Sequence, residues 1–287
     1  MSPRSAPSYP VGPLATVIGL LVLATQVVAQ DSFSGRVVDD EGGRPLAFAH
    51  VGIPAAGTGA ITDEAGGFTL DARPGDSLRV SMIGYASATL AIPPASDGPL
   101  VVRLRARAYA LPGASVRARL PAARELLASE PSRVTTGHSG GGDYGVGEEF
   151  GRVVALPPGA HLLTGAGFHL RFNRLDSVRF RVNVYGLGAD GSPAVPLNPV
   201  PAYATATRKQ ERVDVDFDAP VRAEGDVVVA VEVVRLWYRP RGDNALFFSH
   251  DGLGGARGVY RPVSQAAWRS EGAPPVAMWV RGVGVGG

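Results

Sequence analysis

The sequence has no cysteine among its 287 residues. That excludes disulfides, a thiolate-ligated metal, a thiol nucleophile and a lipid attached through an N-terminal cysteine. It is also nearly without lysine. Lys209 stands alone among 28 basic residues, and the arginines are spread along the chain in ones and twos between acids. A phosphate-binding surface needs basic side chains gathered on one face, so nucleic acid is not an expected partner. Zinc-peptidase spacing is missing as well. None of His50, His138, His161, His169 and His250 has an acid three positions away, and neither a metal nor a cofactor is expected. No phosphate-cradling glycine loop precedes a helix, which leaves nucleotide binding without support.

What is present is a packable chain rich in turn formers. Hydrophobic residues make up 45% and charged residues 19%, while 38 Gly and 24 Pro imply many turns rather than wholesale disorder. The length suits two modest domains. Residues 1–29 read as a signal peptide: Arg4 opens a polar start, an apolar run extends from Val11 to Val28, and the small residues Val27 and Ala29 fit cleavage after Ala29. The competing reading is a retained membrane anchor, but Gly12, Pro13, Gly19 and Gln26 interrupt the run. No later segment is long and apolar enough to span a membrane.

Residues 31–107 break into short β-type runs: Phe33 to Val38, Leu46 to Ile53, Ala60 to Thr62, Gly67 to Leu70, Ser77 to Ile83, Tyr85 to Ile92 and Leu100 to Leu104. Seven short strands at close spacing predict a small antiparallel sandwich. Asp63-Glu64-Ala65-Gly66 reads as a turn in which Gly66 takes positive φ, Asp63 bonds the turn backbone and Phe68 enters the core. Gly84 marks a bend before Tyr85. The ordered elements Gly43-Arg44-Pro45-Leu46-Ala47-Phe48-Ala49-His50-Val51-Gly52-Ile53, Gly57-Thr58, Thr62-Asp63-Glu64-Ala65-Gly66-Gly67-Phe68 and Asp76 to Tyr85 resemble the carboxypeptidase regulatory-like (transthyretin-like, Ig-like) domain. The resemblance implies a scaffolding or interaction role. It also implies relatives in which this domain is appended to outer-membrane receptors or peptidases, and neither a receptor barrel nor a peptidase domain is evident here.

Residues 108–150 read as a connection, with one further strand at Ala110 to Arg117, a short helix at Pro121 to Glu130 and a Gly-rich linker to Gly147. A second, jelly-roll-like sandwich is expected over 151–287, so the fold class is all-β. Its runs are Gly167 to Phe172, Ser177 to Tyr185, Glu211 to Phe217, Asp226 to Val234, Leu246 to Ser249 and Val276 to Val280. In Ser177 to Tyr185, Phe180, Val182 and Val184 alternate with Arg179, Arg181 and Asn183, which predicts one buried face and one face in water.

Few patterns carry chemistry. Gly137-His138-Ser139-Gly140-Gly141 satisfies G-x-S-x-G, but a nucleophile elbow needs a helix after the serine, and the glycines that follow cannot sustain one. Asp214, Asp216 and Asp218 share one face of a strand, where residues lie too far apart to chelate calcium without loop oxygens. Arg241-Gly242-Asp243 matches an adhesion tripeptide and equally a hairpin turn. Trp237, Tyr238 and Trp268 are the candidate binding residues, since exposed rings can stack on sugars; Trp279 reads as core.

The function expected is that of an exported, non-enzymatic envelope protein located in the periplasm, at the outer membrane or on the cell surface. Its regulatory-like domain is expected to contact an envelope protein partner. Carbohydrate binding by the second sandwich, with a glycan ligand, is the first alternative. A hydrolase whose site assembles only in three dimensions is the second.

Overall fold

The computed structural model describes residues 32–94, 99–107, 122–139, 145–252, 255–273 and 275–285; the expected leader, the expected strand at 110–117 and the glycines at 140–142 lie outside them. Among the described residues the chain is all-β, and no helix is long and apolar enough to cross a membrane. The all-β expectation holds.

The first sandwich packs two sheets. One has the order β4-β1-β7, from β1 (Ser32–Asp39), β4 (Gly67–Asp71) and β7 (Leu100–Leu104). The other has the order β3-β2-β5-β6, from β2 (His50–Ile53), β3 (Thr58–Ile61), β5 (Ser77–Ser81) and β6 (Ala88–Ala91). Each of the seven expected runs overlaps one of these strands. Val37, Val51, Phe68, Leu70, Leu78, Val80 and Leu104 fill the core between the sheets. The arrangement departs from a purely antiparallel one at a single pair, β1 with β7. These strands stand at opposite ends of the domain sequence, so the intervening chain supplies the long crossover that parallel pairing requires. The turn before β4 behaves as its residues dictate: Gly66 has φ 74°, and Asp63 Oδ1 accepts from the amides of Ala65 (2.9 Å) and Gly67 (2.7 Å).

The second sandwich has two six-stranded sheets. The first has the order β13-β12-β16-β10-β18, with β14 also pairing β12. It is built from β10 (Glu149–Val154), β12 (Ser177–Leu187), β13 (Pro193–Pro196), β14 (Ala202–Thr207), β16 (Val227–Trp237) and β18 (Gly258–Arg261). The second has the order β8-β19-β11-β17-β9, with β15 on β11. Its strands are β8 (Arg124–Leu127), β9 (Pro131–Ser139), β11 (Ala160–Asn173), β15 (Arg212–Glu224), β17 (Ala245–Asp251) and β19 (Met278–Val285). Between the sheets Phe168 meets Phe180 edge-on at 4.9 Å, and Phe248 touches Phe150 at 5.2 Å and Phe180 at 5.8 Å. Valines 182, 184, 229, 231 and 233 complete this core.

The helix expected at Pro121 to Glu130 is not formed. Arg124–Leu127 is strand β8, paired with β19, and Leu126 and Leu127 pack against the core. A helix of that length is marginal alone, whereas pairing on an open sheet edge also buries two leucines, so tertiary context overrides propensity. The residues after it form β9, paired with β17.

Candidate functional site

The alternation along β12 sends Phe180, Val182 and Val184 into the core and Arg179, Arg181 and Asn183 to the opposite face. The expectation that this second face meets water is corrected: Arg181 and Asn183 are each 1% exposed. The first sandwich covers them. His50 and Gly52 point away from the core of β2, and Gly59 lies opposite Gly52 on β3. This face lies against the polar face of the β12 sheet and the loop after β18. A Cβ on Gly59 would overlap the carbonyl of Ser264, and one on Gly52 would come within 2.9 Å of Gln265 Cβ, so glycine at both positions permits the approach.

Register builds the site. Arg181 lies opposite Glu232, Glu232 opposite Glu149, and Glu149 opposite Arg261, so one row across four strands reads Arg, Glu, Glu, Arg. Two carboxylates side by side on adjacent strands repel. Here each is relieved by the arginine on its outer flank. Arg181 donates from Nε (2.9 Å) and Nη2 (2.7 Å) to Glu232 Oε2, while Arg261 Nη2 pairs with Glu149 Oε2. Asn183 Nδ2 bridges the two acids, donating to Glu149 Oε1 (2.7 Å) and Glu232 Oε2 (3.0 Å). Tyr185 donates its hydroxyl to Glu149 Oε1 at 2.7 Å. The small residues Ala230 and Gly151, paired in the next row, leave room for these reaches.

The first sandwich enters the same network. Arg181 Nη1 donates to the carbonyl of Phe48 at 2.7 Å, and Phe48 holds a positive φ of 61°. His50 Nε2 lies 2.6 Å from Glu232 Oε1, with Arg181 Nη2 also against it. A ring nitrogen cannot both donate to the carboxylate and accept from the guanidinium. Burial pushes the His50 pKa down despite the pull of Glu232, so the ring is neutral. Burial alone would raise the Glu232 pKa, yet Arg181 and His50 together hold it well below the usual carboxylate range. The network therefore assigns the proton to Nε2, donated to an ionised Glu232. Burial, then the adjacent Glu149, raises the Tyr185 pKa well above its ordinary value, which keeps the hydroxyl a donor. Around the rim, Arg179 stacks on both Phe48 (5.2 Å) and Tyr203 (4.8 Å), Gln265 Nε2 donates to Ser81 Oγ (2.7 Å) and Arg235 pairs with Glu64.

This ladder can fix the position of one sandwich on the other. Glu149 and Glu232 are 0% exposed, so neither presents an oxygen to a substrate in this arrangement. Sequence spacing missed these residues, because they come from five separate segments. One signal was available: Glu232 is the lone acid within an otherwise apolar run from Val227 to Val234, and a charge in such a run must find a buried partner.

The binding residues read from sequence are not gathered into one surface. Trp268 meets Tyr185 edge-on at 5.4 Å and lies beneath the Arg261 guanidinium at 4.7 Å, helping to roof the ladder. Trp237 carries Arg235 on its ring at 4.7 Å, and Tyr238 packs against the second core. Trp279, expected in the core, is buried instead on the outer face of its sheet, while its neighbours Met278 and Val280 enter the core. It lies across Gly167 and donates from Nε1 to Asp214 Oδ1 at 3.0 Å, while Arg281 crosses the neighbouring Gly165 to Asp216 at 2.9 Å. Those two carboxylates of the calcium reading are thus engaged by an indole and a guanidinium.

Ser139 ends strand β9 at a sheet edge, residues 140–144 of the G-x-S-x-G stretch and its glycine run lie outside the described residues, and 145–150 form a turn and the start of β10. Asp243 of the Arg-Gly-Asp tripeptide pairs with Arg174. Among the described residues no three His, Asp or Glu side chains are placed to hold a metal.

The architecture thus defines a protein of docked antiparallel-rich β-sandwiches joined by a buried ionic ladder. Residues 33–116 match the model of the CarboxypepD_reg-like domain, which identifies the first sandwich as a carboxypeptidase regulatory-like domain. A comparison with curated proteins gives no match.

Proposed function

We propose that the chain is an exported, non-catalytic envelope protein in which the carboxypeptidase regulatory-like domain serves as an interaction and scaffold module. The observation that carries this reading is the use made of that domain's outer sheet face: His50 and the Phe48 carbonyl lock onto Glu232 and Arg181 of the second sandwich. The module's first partner is the sandwich that follows it in the same chain, and the pair is presented as one body to a further envelope partner. The apolar run from Val11 to Val28 before Ala29 fits an exported chain, and the lack of cysteine means that such a chain is stabilised without disulfides. Fractionation of the native envelope, followed by crosslinking and identification of neighbours, tests the proposal. Recovery with a receptor or protease supports it; recovery alone in the culture medium counts against it.

A further inference from the structure

Although the arginines are scattered in sequence, the fold gathers some of them. At one end of the second sandwich the end of β11, the turn between β14 and β15 and the loop between β16 and β17 frame an open pocket of about 410 Å³. Arg171, Arg174, Arg208, Arg239 and Lys209, the chain's single lysine, line it, against only Glu211 and Asp243. Among the described residues the ion pair within this group joins Arg174 to Asp243. The other four cations have no carboxylate within ion-pair distance among the described residues, an arrangement that costs free energy through mutual repulsion until an anion enters.

Apart from Arg174, these cations are held without an acid partner among the described residues. The guanidiniums of Arg171 and Arg174 each lie 5.4 Å from the centre of the Phe172 ring, so an aromatic face positions Arg171, and shares Arg174 with its Asp243 partner. Asn173 fastens the Arg208-Lys209 turn to β11: its Nδ2 donates to the Thr207 carbonyl at 2.8 Å and its main-chain carbonyl accepts the Lys209 amide at 2.9 Å. Lys209 sits at φ 67°, a conformation this clamp helps to maintain. Phe172, 40% exposed, adds an apolar wall beside the charges.

We propose that this pocket binds a phosphate-bearing anion. Guanidinium forks match phosphate oxygens bidentately, and four uncompensated cations favour a multiply charged group over a single carboxylate. The ring of Phe172 suits an organic body attached to the phosphate. Two sources share this chemistry, a soluble phosphoester and a lipid headgroup.

The test uses the full chain, with pyrophosphate titrated by calorimetry and, in parallel, vesicles of phosphatidate in phosphatidylcholine assayed by co-sedimentation. Arg208 and Lys209 are exposed turn residues, so Arg208→Gln/Lys209→Gln is expected to melt as the wild type does, and Arg73→Gln on the first sandwich matches the kind of charge removed elsewhere. The proposal expects saturable wild-type binding to at least one probe, about tenfold weaker in the double variant, on the scale of one charge-assisted hydrogen bond, and unchanged in Arg73→Gln. Pyrophosphate binding alone assigns a soluble source, and vesicle binding assigns a headgroup. No saturable binding to either probe, or equal affinity in wild type and double variant, overturns the proposal.

Discussion

Replacing Arg181 by methionine removes one end of the buried row while keeping much of the aliphatic volume. Arg181 makes bonds of 2.9 and 2.7 Å to Glu232 and one of 2.7 Å to the Phe48 carbonyl. Without it, two carboxylates with 0% exposure face each other on adjacent strands, and only Arg261 remains as a cation in the row. Breaking a buried pair from one side costs about 3–5 kcal/mol, because the surviving charge is left uncompensated. For a chain of this size that corresponds to a fall in melting temperature of roughly 6–20 °C. Arg181→Met/Glu232→Leu removes both charges and should recover much of the loss, since an apolar pair of similar volume often matches a buried ion pair. Urea unfolding followed by tryptophan fluorescence reads both variants, with Trp268 stacked over the site as a local reporter. A single-variant loss under about 1 kcal/mol, the scale of an exposed ion pair, would refute the reasoning. So would a double variant less stable than the single one.

Acid should loosen the docking in two stages. His50 is neutral when docked and titrates near 6.5 when unfolded, so the unfolded chain takes up the proton first; stability is full above pH 6.5 and declines as pH falls below it. Glu232 adds a further loss of the same sign below about 4.5, and His50→Gln should flatten only the upper stage of a pH series of urea midpoints. Gly59→Val places a side chain against the Ser264 carbonyl, and limited proteolysis should then cut between the sandwiches while each keeps its own strands. Gly167→Ala collides with the Trp279 ring and should cost about 1–3 kcal/mol, measured by thermal unfolding. Phe248→Ala, at the junction of the Phe150, Phe168 and Phe180 rings, should cost about 3–5 kcal/mol in the same assay.

Much of the architecture was legible because two-residue alternation states which side chains share a face. It identified the division of β12 into Phe180, Val182 and Val184 against Arg179, Arg181 and Asn183, while β-type runs between turn formers marked the seven strands of the first sandwich and Asp and Gly chemistry marked the Asp63 to Gly66 turn. Alternation does not state what covers a face. The polar side of β12 was therefore read as solvated, although a whole domain lies on it. Strands β13 and β14 were missed because Pro193–Pro196 is short and Ala202–Thr207, apart from Tyr203, is built from alanine and threonine. Strand β8 was missed because Arg-Glu-Leu-Leu suits a helix as well as a sheet edge. The ladder itself arises from register across four strands, a long-range property that local spacing does not encode. The same holds for the basic pocket, where residues 171–174, 208–211 and 239–243 meet only at the ends of their strands.

The measurement that bears most directly on the docked arrangement is a spin-label distance across the two sandwiches. The cysteine-free chain allows clean labelling of Arg73→Cys and Glu224→Cys, two exposed sites, one on each sandwich. A sealed ladder predicts one narrow distance distribution at neutral pH that broadens in Arg181→Met. A broad or multiple distribution in the otherwise unmodified chain would contradict it.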